Sequence, residues 1–150
     1  MNTKVDTLNW KILGLLQANA RESFANIGRI VGLTAPAVAE RVKKMEDVGI
    51  ISGYKTEVSH SHSGYQLKAI ITLRAFMGKL RPFLDIVGTF EEVINCYRIT
   101  GNENIIMMVV FKDQLHLEKF IDKLIQYGET RTHIILSHVV SNAPLKKREI

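Results

Sequence analysis

The 150-residue chain contains a single cysteine, so no disulfide can form within it. Cys96 sits inside the apolar run Val93-Ile-Asn-Cys-Tyr97, where a buried structural thiol is expected rather than a reactive one. The longest apolar run, Ile105 to Phe111, is far shorter than the roughly 20 residues that span a bilayer. No secretory signal is visible at Met1-Asn-Thr-Lys-Val-Asp6, so a cytoplasmic location is expected. The chain has no phosphate-cradling glycine-rich loop and no nucleophile–base–acid set at recognisable spacing, which leaves enzyme activity without sequence support. Metal ligands are also too few. His60 and His62 form a His-x-His pair, but a site needs at least three ligands, and a solvated linker is the expectation. His133 and His138 have opposite parity along one predicted strand, and His116 is expected on the exposed side of its helix.

What remains is an ordinary soluble composition, 46% apolar and 23% charged, with a net charge of +5 and a pI near 9.4. A basic balance suits a polyanionic partner. The excess is spread evenly, however, at +2 over residues 1–57 and +3 over residues 58–150, three of whose basic residues are Lys146, Lys147 and Arg148 of the tail. Motifs must therefore carry any functional argument.

The first third reads as helical. Leu8, Ile12, Leu15 and Leu16 recur at helical spacing, with Trp10 and Leu13 widening the stripe and Asp6 or Thr7 as cap. Ser23 caps a second helix whose buried face is Phe24, Ile27, Ile30 and Val31, stopped by Gly32. Thr34 caps a third helix, Pro36 falls in its first turn, and Val38, Val42 and Met45 form its inward stripe. Ile50 to Glu57 reads as an extended strand, giving a winged-helix-like unit over residues 1–57.

Val58-Ser-His-Ser-His-Ser-Gly64 is polar and aperiodic, and residues 58–66 read as a linker. Residues 67–150 then alternate: a strand Leu67–Phe76, a helix marked by Leu80, Phe83, Leu84 and Val87, strands Val93–Thr100 and Ile105–Lys112 about the turn Gly101–Asn104, a helix marked by Leu117, Phe120, Ile121 and Leu124, and a last strand Thr132–Val140. The order β-α-β-β-α-β is the ferredoxin-like pattern, and the fold class is α+β. Two helices cover only one face of four strands, yet Ile105–Phe111 is apolar at every position. A second copy of the sheet is the simplest cover, so a homodimer is expected.

The segment Ser23–Asp47 is two short helices joined by Gly32-Leu33-Thr34, the spacing of a helix-turn-helix, which presents its second helix to the major groove. With the stripe turned inward, Ala35, Pro36, Ala37, Glu40, Arg41, Lys43 and Lys44 are left on or beside the outer face. Thr34 and the free first-turn N–H groups can hold a phosphate. Arg41 and Lys44 are expected to reach phosphates or guanine edges, and the small residues at 35 and 37 let the helix lie close to the groove floor.

Leu8-Asn-Trp-Lys-Ile-Leu13, Arg21-Glu-Ser23, Val31-Gly-Leu-Thr34, Glu40-Arg-Val-Lys-Lys-Met-Glu46 and Gly49-Ile-Ile-Ser-Gly-Tyr54 together resemble the Lrp/AsnC (feast/famine) family of bacterial and archaeal transcription regulators. Cys96-Tyr-Arg-Ile-Thr-Gly101 and Thr130-Arg-Thr-His-Ile-Ile-Leu136 extend the resemblance to that family's ligand-sensing domain. The resemblance implies double-stranded DNA as partner, a dimer assembling to an octamer, no cofactor, and an amino acid as effector, with Gly101, Asn104, Thr130 and Thr132 lining its pocket. Two positions depart from the family pattern. Asn9 stands where a second Asp is usual in the first helix, and Asn104 stands where the Gly-x-x-Asp turn carries its acid. An Asn supplies no charge to an α-amino group. Two other readings stay open: an architectural protein wrapping DNA with little sequence preference, and a metabolite-binding domain whose helical half docks a protein.

Overall fold

A computed structural model describes residues 5–147; Met1–Lys4, where the leader expectation falls, and Arg148–Ile150 lie outside them. The chain forms two compact units. One runs to Thr56 and resumes at Val140, and the other is Glu57–Val139.

The first unit holds α1 (Thr7–Ala18), α2 (Phe24–Val31) and α3 (Ala35–Asp47). Each helix starts where a short polar side chain can take an orphan amide. Asp6 accepts from Asn9 N–H at 2.6 Å, Ser23 from Asn26 N–H at 3.1 Å, and Thr34 from Ala37 N–H at 3.4 Å. Ile12, Leu16, Ile27, Val38, Val42 and Met45 close into one core, with Leu13, Val31, Leu33 and Ile51 packed around it. Phe24 and Ile30 do not join it; both are exposed.

Ile50–Glu57 forms no strand among the described residues. A strand needs a hydrogen-bonded neighbour, and Ile51 N–H goes to the Met45 carbonyl at 3.1 Å instead. Tyr54 O–H donates to Glu46 Oε1 at 2.8 Å, and burial with that carboxylate beside it pushes the phenol up to about 12. The tail packs with this unit rather than the second. Gln17 clamps the Leu145 backbone, Nε2 donating to its carbonyl at 3.2 Å and Oε1 accepting its N–H at 2.8 Å, a pairing that a side-chain amide can satisfy with both its groups. Lys147 Nζ adds a bond to Thr7 Oγ1 at 3.1 Å.

The second unit is β1 (Leu67–Ala75), α4 (Leu80–Ile86) with a 3-10 turn Val87–Thr89, β2 (Val93–Arg98), β3 (Ile105–Phe111), α5 (Gln114–Leu124) and β4 (Gly128–Ile134). The sheet order β2-β3-β1-β4, antiparallel throughout, is the ferredoxin-like arrangement. Odd-numbered residues of β1 and β3 face the helices and bury Ala69, Ile71, Leu73, Ile105, Met107, Val109 and Phe111 against Phe83, Phe120 and Leu124. Cys96 pairs with Met107 on that side, and burial pushes its thiol up. The last strand starts and stops earlier than Thr132–Val140, because β1 sets its length: Gly128 pairs with the last residue of β1, Ala75, and Ile134 with Ala69. His138 therefore lies beyond the sheet, and the parity argument does not reach it. Residues 58–66 fall within the second unit and form a hydrogen-bonded turn, with Ser63 N–H donating to the Ser59 and His60 carbonyls at 3.0 Å and Tyr65 N–H to the His60 carbonyl at 2.9 Å.

His116 turns inward, contrary to the helical-face expectation. Lys112 N–H donates to its Nδ1 at 3.3 Å, so the ring proton is on Nε2, which meets Glu92 Oε1 at 3.2 Å. Lys123 Nζ donates to the same oxygen at 3.1 Å. Burial pushes the Glu92 carboxyl up, but hydrogen bonds from its own backbone, Lys123 and His116 outweigh that and hold it below its ordinary 4.5. A depressed carboxyl stabilises the fold above the unfolded value, and that stabilisation is lost as pH falls through the folded one. Glu92→Gln is expected to cost roughly 1–3 kcal/mol near neutrality and to flatten the acid limb. Urea midpoints between pH 3 and pH 7 check both, and parallel curves for the two proteins would contradict it.

Candidate nucleic-acid interface

Two glycines shape the turn that aims α3. Gly32 has φ +77°, a left-handed conformation that ends α2. Gly28 is buried, its carbonyl accepts Leu33 N–H at 2.9 Å, and a Cβ there would overlap the Leu33 carbonyl oxygen. Sequence reading found Gly32 and missed Gly28. The available signal was a glycine inside a helix, where it costs about 1 kcal/mol against alanine without a packing reason.

The stripe Val38, Val42 and Met45 is sealed, so the opposite side of α3 faces outward. Pro36, Glu40, Lys43, Lys44 and Asp47 are exposed on it, while Ala35 and Ala37 are half-buried flanks. Thr34, exposed at the cap, spends its Oγ1 on Ala37 N–H. Glu40 and Lys44 form an i, i+4 ion pair at 2.7 Å, and the ammonium holds the Glu40 carboxyl below its usual range. Lys43 makes no ion pair or hydrogen bond among the described residues.

Arg41 is placed differently from its sequence expectation. Its side chain lies on the flank of α3 nearest α1, with Nη1 donating to Asp6 Oδ2 at 2.8 Å and to Asn9 Oδ1 at 3.0 Å. The reason is periodicity: residue 41 is three beyond Val38 and one before Val42, so it borders the inward stripe. Asn9 N–H and then Arg41 hold the Asp6 carboxyl below its usual range. Asp47 joins the outer face unforeseen, and α2 adds an exposed Arg29, whose Nη2 donates to Asn26 Oδ1 at 2.6 Å.

The loop residues of the second unit gather at one end of its sheet. Asn104 N–H donates to the Leu73 carbonyl at 2.9 Å, its carbonyl accepts Ile99 N–H at 2.9 Å, and its Oδ1 accepts Ala75 N–H at 2.8 Å. Thr130 is the register partner of Leu73, and Thr132 lies two pairs further in, opposite Ile71. Gly101, at φ +120°, makes the bend a side chain would strain. Glu103 points away to Arg131 at 3.1 Å. His60 and His138 line a polar hollow with Glu57, Tyr65 and Lys68, and His62 Nδ1 lies 2.7 Å from Ser59 Oγ.

Comparison with known proteins covers both units. Residues 5–46 match the AsnC-type helix-turn-helix domain, and residues 68–145 match the Lrp/AsnC ligand binding domain. An HTH-type transcriptional regulator of Pyrococcus furiosus is 30% identical over 139 residues, 91% of this chain and 94% of its own. The solved structure of Bacillus subtilis LrpC superposes with a TM-score of 0.86 at 29% identity, covering 92% of this chain and 99% of that one. A Neisseria meningitidis transcriptional regulator solved as its L-Met complex has a TM-score of 0.87 at 24% identity, covering 93% and 95%, a likeness of fold.

Proposed function

The chain belongs to the Lrp/AsnC family of transcriptional regulators, and on that premise we propose which surfaces read DNA, pair subunits and take an effector. It is a DNA-binding transcriptional regulator with a helix-turn-helix reader and a ligand-binding domain. We read residues 1–57, joined by the tail, as the reader, 58–66 as the link, and residues from 67 as the sensing and pairing unit. The protein acts by binding and has no catalytic step.

The observation that carries the reader assignment is the division of α3 into a sealed stripe and an outer face of Pro36, Glu40, Lys43 and Lys44. That face enters the major groove, with the Ala35 N–H beside Thr34 at a phosphate, since Pro36 has no N–H and the Ala37 N–H is capped by Thr34, and the lysines on phosphate or guanine edges. Pairing uses the sheet face away from the helices, where Ile70, Ile106, Met108 and Tyr97 form an apolar patch; Tyr97 is 58% exposed in the single chain. Such pairs set two readers on one pseudo-palindromic site, and further assembly to an octamer follows the family. A cytoplasmic location fits a DNA reader, and no helix among the described residues is long and apolar enough to cross a membrane.

An amino-acid effector is supported by the ligand-binding domain and by the L-Met complex of the Neisseria relative. Gly101, Asn104, Thr130 and Thr132 are the residues we assign to it. Asn104 spends its side-chain oxygen on Ala75 N–H and carries no charge, so recognition of an α-amino group is weaker than at a carboxylate. A shift assay on the protein's own upstream DNA, run with and without each of the twenty amino acids, tests the reading. Retarded DNA whose affinity responds to one amino acid supports it. No retardation at low salt contradicts the reader, and retardation indifferent to all twenty removes the effector.

A further inference from the structure

We propose that Arg41 is a positioning residue of the DNA reader: it fixes α3 on the start of α1 through Asp6 and Asn9 and does not itself touch the nucleic acid. The inference rests on the reading that α3 enters the major groove. One guanidinium nitrogen serves two acceptors at the start of α1, Oδ2 of its N-cap Asp6 at 2.8 Å and Oδ1 of the first-turn Asn9 at 3.0 Å. Asp6 is itself held, because its other oxygen caps α1 by accepting Asn9 N–H at 2.6 Å. The side chain of Arg41 is 34% exposed against 72% for Lys44, so it is laid along the domain while Lys44 projects from it.

Physical chemistry gives that fork a task the core cannot perform. Ile12 and Leu16 of α1 meet Val38, Val42 and Met45 of α3 through aliphatic contacts, which are non-directional and fix separation better than pitch. Hydrogen bonds from a planar guanidinium to fixed acceptors define an angle and a register. Small changes in the pitch of α3 move Pro36, Lys43 and Lys44 relative to the base edges, whereas phosphate contacts are long-reaching and tolerate it. Removing the fork should therefore degrade sequence preference while leaving the number of phosphates neutralised unchanged.

The test uses full-length protein and a site selected from random-sequence DNA by the unaltered protein. Affinities for that site and for random DNA are measured across a salt series for Arg41→Ala, Arg41→Lys, Asp6→Ser and Lys43→Ala. Serine keeps the N-cap and removes only the carboxylate. Arg41→Ala and Asp6→Ser are expected to lower the ratio of selected to random affinity by about tenfold, with the slope of log affinity against log salt unchanged. Arg41→Lys keeps a charged donor without the guanidinium's fixed plane and should fall between. A slope reduced by about one unit in Arg41→Ala makes Arg41 a phosphate ligand and overturns the proposal. A gain of affinity for the selected site in Asp6→Ser also overturns it, because an acid that masks a DNA-contacting arginine must release it. So does an unchanged ratio in both. Lys43→Ala separates this failure from failure of the premise. A reduced slope there keeps α3 at the DNA, and an unchanged affinity and slope removes α3 and the positioning role together. Should Arg41→Ala fail to fold, Asp6→Ser and Arg41→Lys decide.

Discussion

Gly28→Ala is expected to lower the melting temperature of the reader unit by on the order of 10–20 °C and to abolish DNA retardation near the new midpoint. The added Cβ would overlap the Leu33 carbonyl oxygen and crowd the backbone of Thr34, and no flexible side chain is there to yield. Relief requires α2 and α3 to part at the turn, which also breaks the Leu33 N–H bond to the Gly28 carbonyl. Overpacking against backbone costs about 1–3 kcal/mol, and the lost bond adds to it. Gly14→Ala is the matched control. It lies in the interior of α1 with nothing within 4 Å of the added methyl, so helix propensity governs and about 0.5–1 kcal/mol is gained. Thermal unfolding by circular dichroism checks both signs. Equal midpoints for the two variants would mean that Gly28 carries no packing constraint.

Met108→Glu is expected to convert the protein to monomers at micromolar concentration. Met108 pairs with Ile70 at the middle of the face that carries no helix, and Ile106 and Tyr97 adjoin it. In a two-fold pairing of such faces the substitution enters twice, and each buried carboxylate without a partner costs several kcal/mol. The single chain leaves that face open, so the fold of the second unit should survive with its circular dichroism unchanged. Light scattering reads the outcome. A variant that keeps the mass of the unaltered assembly would move the pairing surface elsewhere, and an unaltered protein that runs as a monomer would remove the pairing altogether.

The parts of this molecule that were legible from sequence are those written in short-range patterns. The caps Ser23 and Thr34, the stop at Gly32 and the stripe Val38, Val42, Met45 are each set by neighbours within two helical turns. The order of strands and helices followed from alternation. Contacts across long stretches of chain were not legible. Arg41 meets Asp6 across 35 residues, and Leu145 meets Gln17 across 128, and no periodicity encodes either. Arg41 is an example: from sequence it reads as a basic residue beside the outer face of a recognition helix, and its pairing with Asp6 is seen only in the folded unit. The end of β4 was misplaced for a related reason, since its limits are those of its partner β1 and not of its own apolar run. Gly28 was missed because a glycine within a helix gives no sign of what its absent side chain would have struck.

The claim that everything else depends on is that the outer face of α3 meets DNA. The most direct measurement is the salt dependence of affinity for a site selected from random DNA, compared between the unaltered protein and a Lys43→Ala, Lys44→Ala double variant. Two lost phosphate neutralisations should reduce the log–log slope by about two units and weaken binding at all salt concentrations below their crossing. An unchanged slope and affinity would contradict the account and place the reader on another surface.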